Sequence, residues 1–160
     1  MARPRYETAE HLRREAALAY YIECCLPYRL IKLKGPNEAK YRLDYVALLL
    51  HSNRVAAWIE TKVRSGNFAG RRAVYLSADK WRSGVALWGA SLPGFCLIYQ
   101  FNDGVFIHTY NPNRAYGVYW GGRTSPARDE GDREPMVRIL SAWWSRLVLP
   151  PLEERSGHGD

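Results

Sequence analysis

The chain has 160 residues, 47% of them hydrophobic and 24% charged, which is enough for one proper core, too little for two, and far from the composition of a disordered segment. Its 23 Lys and Arg against 16 Asp and Glu give a net charge of +7, a balance that favours a polyanionic partner through counterion release without identifying one. Three cysteines, Cys24, Cys25 and Cys96, form no CxxC pair and argue against a disulfide framework or a zinc knuckle, and no apolar run is long enough to span a bilayer.

The expectation is therefore one domain over residues 1–152 with a loose tail over 153–160, in a reducing cytoplasm and away from membranes. In chain order, Leu12, Ala16, Ala19 and Ile22 recur at helical spacing and predict a helix over Thr8 to Leu26, stopped by Pro27, with Arg13 and Arg14 on its wet side. A short strand over Arg29 to Leu33 follows, then a turn around Gly35, Pro36 and Asn37. Two longer strands, Tyr41 to Leu50 and Arg54 to Arg64, read as an antiparallel hairpin. Both are apolar on each face, as central strands are.

After a polar loop over Ser65 to Arg72, Ser77 reads as the N-cap of a helix running to about Ala90, which Pro93 and Gly94 end. Phe95 to Phe101 and Val105 to Tyr110 predict a second strand pair turning at Asn102, Asp103 and Gly104, with an edge strand over Tyr116 to Trp120. Gly121 to Asp132 reads as a loop. Met136, Ile139, Leu140, Trp143 and Leu147 predict a last helix over Glu134 to Leu147. The sum is an α/β domain with a mixed central sheet flanked by helices.

Within the hairpin, Asp44, Glu60 and Lys62 stand where Val or Ile would pack at no electrostatic cost. Glu60 and Lys62 are two apart and share a face of their strand. Leu50 paired with Arg54 across a three-residue connection puts Asp44 opposite Glu60; a two- or four-residue turn puts it opposite Thr61. Convergence of the three thus requires an odd loop or a bulge. Two carboxylates forced together repel unless a cation sits between them, and hard divalent ions accept carboxylate oxygens, waters and phosphate. A neighbouring Lys can hold or deprotonate an attacking water, and the combination describes phosphodiester hydrolysis. The plain alternative is a structural ion pair at a strand end.

The pattern Asp44, then Glu60-Thr61-Lys62 after fifteen residues, resembles the core of the PD-(D/E)XK nuclease superfamily. Its context, an N-terminal helix, the hairpin, a helix opening Leu76-Ser-Ala-Asp-Lys-Trp81 and a further strand pair, extends the resemblance over about Tyr6 to Tyr110; Leu43 stands where the motif's name has Pro. The resemblance implies a restriction-endonuclease-like αβββαβ core and Mg²⁺, with Mn²⁺ able to substitute. It implies metal ligation by Asp44, Glu60 and the backbone carbonyl of Thr61, with Lys62 serving the water. Glu15, ahead of Glu10, is its choice for a helix-borne carboxylate that adds to the metal and catalytic set. With Glu15 the cluster carries three negative charges and one positive, a deficit that one divalent ion balances.

For the substrate, Arg64, Arg71 and Arg72 follow the active strand directly and are placed to grip phosphates. Lys80 is a candidate contact from the second helix. Arg114, Tyr116, Tyr119, Trp120, Arg123 and Arg128 interleave basic and aromatic groups as strand-stacking surfaces do. The partner read from this is nucleic acid, DNA first, with a homodimer left open and a phage or mobile-element origin suggested by analogy. A nuclease-fold module that binds without cutting is the alternative. The four histidines have no ligand spacing and read as structural or solvated.

Overall fold

The computed structural model describes residues 8–33, 43–91, 93–122 and 133–150. Helix α1 spans Ala9–Cys25; Thr8 caps it with a side-chain oxygen that accepts the His11 N–H, and the chain leaves it extended at Leu26, just before Pro27. Of the stripe expected to face inward, Ile22 is buried, but Leu12 and Ala16 are exposed and Leu18 takes the inward place. Only the last turns of α1 meet the sheet, so its first two turns carry no buried residue.

Strands β1 (Tyr28–Lys32), β2 (Tyr45–Leu49) and β3 (Val55–Val63) follow, then β4 (Ala73–Ser77), helix α2 (Ala78–Ser91), β5 (Gly94–Phe101), β6 (Gly104–Thr109), β7 (Gly117–Gly122), β8 (Arg133–Leu140), a 3₁₀ turn over Ser141–Trp143 and β9 (Ser145–Leu147). Among the described residues two sheets form, one ordered β1-β2-β3-β5-β6-β9 and a smaller one ordered β4-β8-β7. Every neighbour pair is antiparallel except β3 and β5, which run parallel and need β4 and α2 as their crossover.

The elements depart from expectation in two places. The sequence reading missed β4, whose last residue, Ser77, stands directly before α2 where the cap was expected and donates its hydroxyl to Glu134. The last helix over Glu134 to Leu147 does not exist, and β8, the 3₁₀ turn and β9 stand in its place. Ile139 fits both periods, but it buries on the same face as Val137, two residues away, and β-branched pairs of this kind suit a pleated surface. Pro135 pairs only with Trp120 of β7, since β4 stops opposite Met136, so its missing N–H breaks no ladder on that side. The turn around Gly35 and the tail beyond Pro150 lie outside the described residues.

The large sheet is covered on both faces. Leu18 and Ile22 of α1 pack on Tyr45, Ala47, Ala57, Ile59, Cys96 and Ile98. On the other face Leu43, Phe95, Leu97 and Tyr99 meet α2 and the small sheet through Val74, Leu76, Val137 and Ile139. Each such aliphatic side chain taken fully out of water contributes roughly 1.5–3 kcal/mol. Helix α2 lies close because Gly84 has no side chain; a Cβ there would stand 2.1 Å from the Phe95 ring. His108, expected to be structural, is buried between the Trp143 carbonyl at 3.1 Å and the Tyr116 hydroxyl at 3.0 Å. The carbonyl can only accept, so Nδ1 carries the proton, and burial holds the ring's pKa below its usual value.

The hairpin register decides whether a site exists. The Leu49 N–H bonds the Arg54 carbonyl at 2.9 Å, leaving a four-residue connection over 50–53. Leu48 pairs with Val55 but Ala47 pairs with Ala57, so Ala56 is an extra residue that bulges out of the ladder. Without it Asp44 would fall opposite Ile59; with it, the pairing of Tyr45 with Ile59 carries on to set Asp44 across from Glu60.

Candidate active site

Strand β3 outruns its neighbour. β2 begins at Tyr45, opposite Ile59, so residues Glu60 to Val63 have β5 on one side and no β2 partner on the other. Asp44, just ahead of β2, folds its side chain into the vacated edge, where Oδ2 accepts the Thr61 N–H at 2.9 Å and the Thr61 hydroxyl at 3.0 Å. The Ile59 carbonyl points to this side, since it accepts the Asp44 N–H at 3.2 Å. Two residues on, the Thr61 carbonyl leaves the strand in the same direction. A cavity of about 330 Å³ opens here, lined by Asp44, Thr61, Lys62 and Lys80 together with Glu15 and Leu18 from α1.

Glu60 is fully buried. Its Oε1 bonds the Lys80 ammonium and lies 3.4 Å from Lys62, while Oε2 is buried with no hydrogen-bond partner among the described residues. Lys80 also stands 3.8 Å from Asp44 Oδ1. Burial first, and the Asp44 charge second, push the Glu60 pKa up to about 7 against the pull of the two lysines. Burial, then the charge of Lys80, draws the Lys62 ammonium below its ordinary pKa, which brings it nearer to accepting a proton. Burial would lower Lys80 too, but Glu60 and Asp44 outweigh it and raise that pKa.

Asp44, Glu60, Thr61 and Lys62 thus come together as the sequence predicts. Glu15 reaches the rim of the cavity, but its carboxylate holds Lys32 at 3.1 Å; Glu10 pairs with Arg14 on the exposed side of α1. Among the described residues no three of His, Cys, Asp and Glu gather as a ready metal cluster. Lys80 is drawn into the site itself, a placement the sequence reading did not foresee. Its place becomes readable only once the buried face of α2 is known, because Lys80 lies one turn before Gly84, on the stripe that meets the sheet. With Lys80 and Lys32 counted, three carboxylates face three ammoniums, and the charge deficit expected from the sequence disappears.

The other basic candidates scatter. Arg64 lies over the Tyr99 ring at 5.9 Å. Arg71 covers Phe101 at 4.9 Å and donates to the carbonyls of Asn67 and Ser65, so it braces the loop after β3. Arg72 is exposed, and its carbonyl accepts the Ser141 N–H. Arg114 lies over Trp143 at 4.9 Å, beside a second cavity lined by Tyr116, Tyr119, Arg138 and Trp143. Arg123 and Arg128 lie outside the described residues.

With this geometry established, residues 1–146 match the family described as "Phage putative PDDEXK endonuclease". The chain belongs to that family. Its nuclease-type character follows from the membership, and α1, β1 to β3, α2 and β5 follow one another in the expected αβββαβ order of a mixed α/β core, with β4 added to the crossover. The PDDEXK chain is also similar to a solved structure, the Holliday junction resolvase Hjc of the hyperthermophilic archaeon Archaeoglobus fulgidus, at 16% identity over 80% of this chain and 88% of that one, with a TM-score of 0.43. No curated protein matches this endonuclease-family sequence. None of its described helices is long and apolar enough to cross a membrane.

Proposed function

We propose that the protein is a metal-dependent endonuclease that hydrolyses phosphodiester bonds of DNA. The observation that carries this reading is the buried, unpartnered Oε2 of Glu60, set beside Asp44 on the open edge of β3 with Lys62 two residues along. A buried carboxylate oxygen without a partner is costly, and a hard cation is the group that would satisfy it. The donor set fits Mg²⁺ or Mn²⁺: Asp44, Glu60 and the Thr61 carbonyl supply oxygens, and such ions fill their remaining positions with water and phosphate. Glu15 is the weaker member of this set, since it would have to leave Lys32.

A bound ion supplies charge neutralisation for the phosphate and activation of water. The residues do the rest. Lys62 orients the attacking water and, with its lowered pKa, is suited to take its proton. Thr61 fixes the Asp44 carboxylate through two hydrogen bonds, so it need not reorganise as charge develops. Arg64 and Arg72, exposed after the active strand, would hold the substrate backbone, and Arg114 with Tyr119 and Trp143 offers a stacking surface farther off.

The test compares wild type with Lys62→Ala on linear, nicked, branched and single-stranded DNA, in Mg²⁺ and in EDTA. Cutting that needs the ion and falls at least about a hundredfold in the variant is the expected result. One observation favours a second reading, a module that binds without cutting: Lys80 already fills the space between the carboxylates. DNA binding by wild type with no cutting in either Mg²⁺ or Mn²⁺ would select it.

A further inference from the structure

Lys80 reaches the site from the first turn of α2, bonding Glu60 Oε1 and standing 3.8 Å from Asp44 Oδ1. An ammonium between two carboxylates does electrostatically what a cation would do there: it offsets their repulsion and partners a buried charge. It does so incompletely, because Oε2 of Glu60 is left without a partner. The helix behind it is fixed, since Gly84 seats α2 on Phe95 and Trp81 packs among Phe95, Tyr110 and Tyr116. Any departure of the ammonium is therefore a movement of the side chain along its own stem.

We propose that Lys80 is a tethered counterion, which keeps the two acids together in the ion-free protein and must be displaced when a divalent ion loads. The proposal rests on the metal-dependent reading above. Lys80 and the ion compete for one position, so the wild-type site has a lower ion affinity than its oxygens alone would give. The displaced ammonium still lines the cavity, within reach of a phosphate arriving at the ion. Ion and nucleic acid then assist one another: the ion frees Lys80 for the phosphate, and the phosphate holds Lys80 away from the ion.

The experiment is a calorimetric Mn²⁺ titration of the full chain, without nucleic acid, on wild type, Lys80→Met, Lys80→Gln, Lys80→Arg and Asp44→Asn, with circular dichroism as the folding check. Removing one positive charge from beside the ion should tighten Mn²⁺ binding at least about tenfold in the Met and Gln variants. Arg should leave binding weak, and Asp44→Asn should abolish it. In EDTA Lys80→Met should melt below wild type, and Mn²⁺ should raise its Tm by the larger amount. Gln, which keeps a donor for Glu60, serves if Met disturbs the fold. Binding unchanged or weakened in the neutral variants, with Asp44→Asn still abolishing it, overturns the counterion role and leaves the metal site standing. Absence of Mn²⁺ binding in every folded variant overturns both.

Discussion

At the scale of single residues, Glu60 concentrates the site's energetic cost. Its ordinary carboxyl pKa of 4.5 rises to about 7 on burial beside Asp44. Between those values the folded chain holds a proton that the unfolded chain has released, so stability in metal-free buffer falls as pH climbs through this window and is flat above it. Glu60→Gln removes that slope: comparing urea midpoints at about pH 4.5 and about pH 8, the variant should gain on wild type by up to about 3 kcal/mol. An ion needs the carboxylate form, so Mg²⁺-dependent cutting should rise with pH through about 7, and a flat pH–rate profile would count against Glu60 as a ligand. Asp44, Glu60 and Lys62 were legible in the sequence because charge inside apolar strands is conspicuous. The place of Lys80 was not, since a first-turn lysine reads as solvated until the face its helix buries is known. Lys32, the partner of Glu15, carried no signal at all in an edge strand.

At the scale of elements, the hairpin and α2 position the residues of the proposed site. The connection over 50–53 uses Asn53 in the left-handed region, φ 51°, with its side-chain oxygen accepting from Arg29. Asn53→Val should cost about 1–3 kcal/mol and Asn53→Gly much less, read from urea unfolding; equal costs would show that backbone strain is not what matters there. Gly84→Ala is a sharper case. Alanine favours a helix, yet its Cβ would strike Phe95, so overpacking of about 1–3 kcal/mol should prevail and the shifted helix should carry Lys80 off Glu60. The first two helices' extents and most strands followed from periodicity and turn residues. What failed were β4 and β8, strands whose inward residues, Val74 and Leu76, Val137 and Ile139, mean little until each finds the other across the small sheet. A helical spacing over five residues was the louder local signal, and tertiary pairing overrode it.

At the scale of the whole molecule, a charge of +7 on 160 residues predicts DNA binding that weakens steeply with salt. Arg64→Gln and Arg72→Gln should each reduce the slope of log K against log salt by about 1. Arg71→Gln should instead lower stability, because its donors serve the carbonyls of Ser65 and Asn67; a slope change as large as that of Arg64 would refute this division of labour. The parallel pairing of β3 with β5 has a temporal consequence. Asp44, Glu60, Lys62 and Lys80 leave the ribosome well before Gly94–Phe101, the strand that flanks β3 and bears the Phe95 on which α2 sits. During vectorial synthesis the acids and lysines are therefore present but unassembled, and the proposed centre can form only after the crossover has closed behind them.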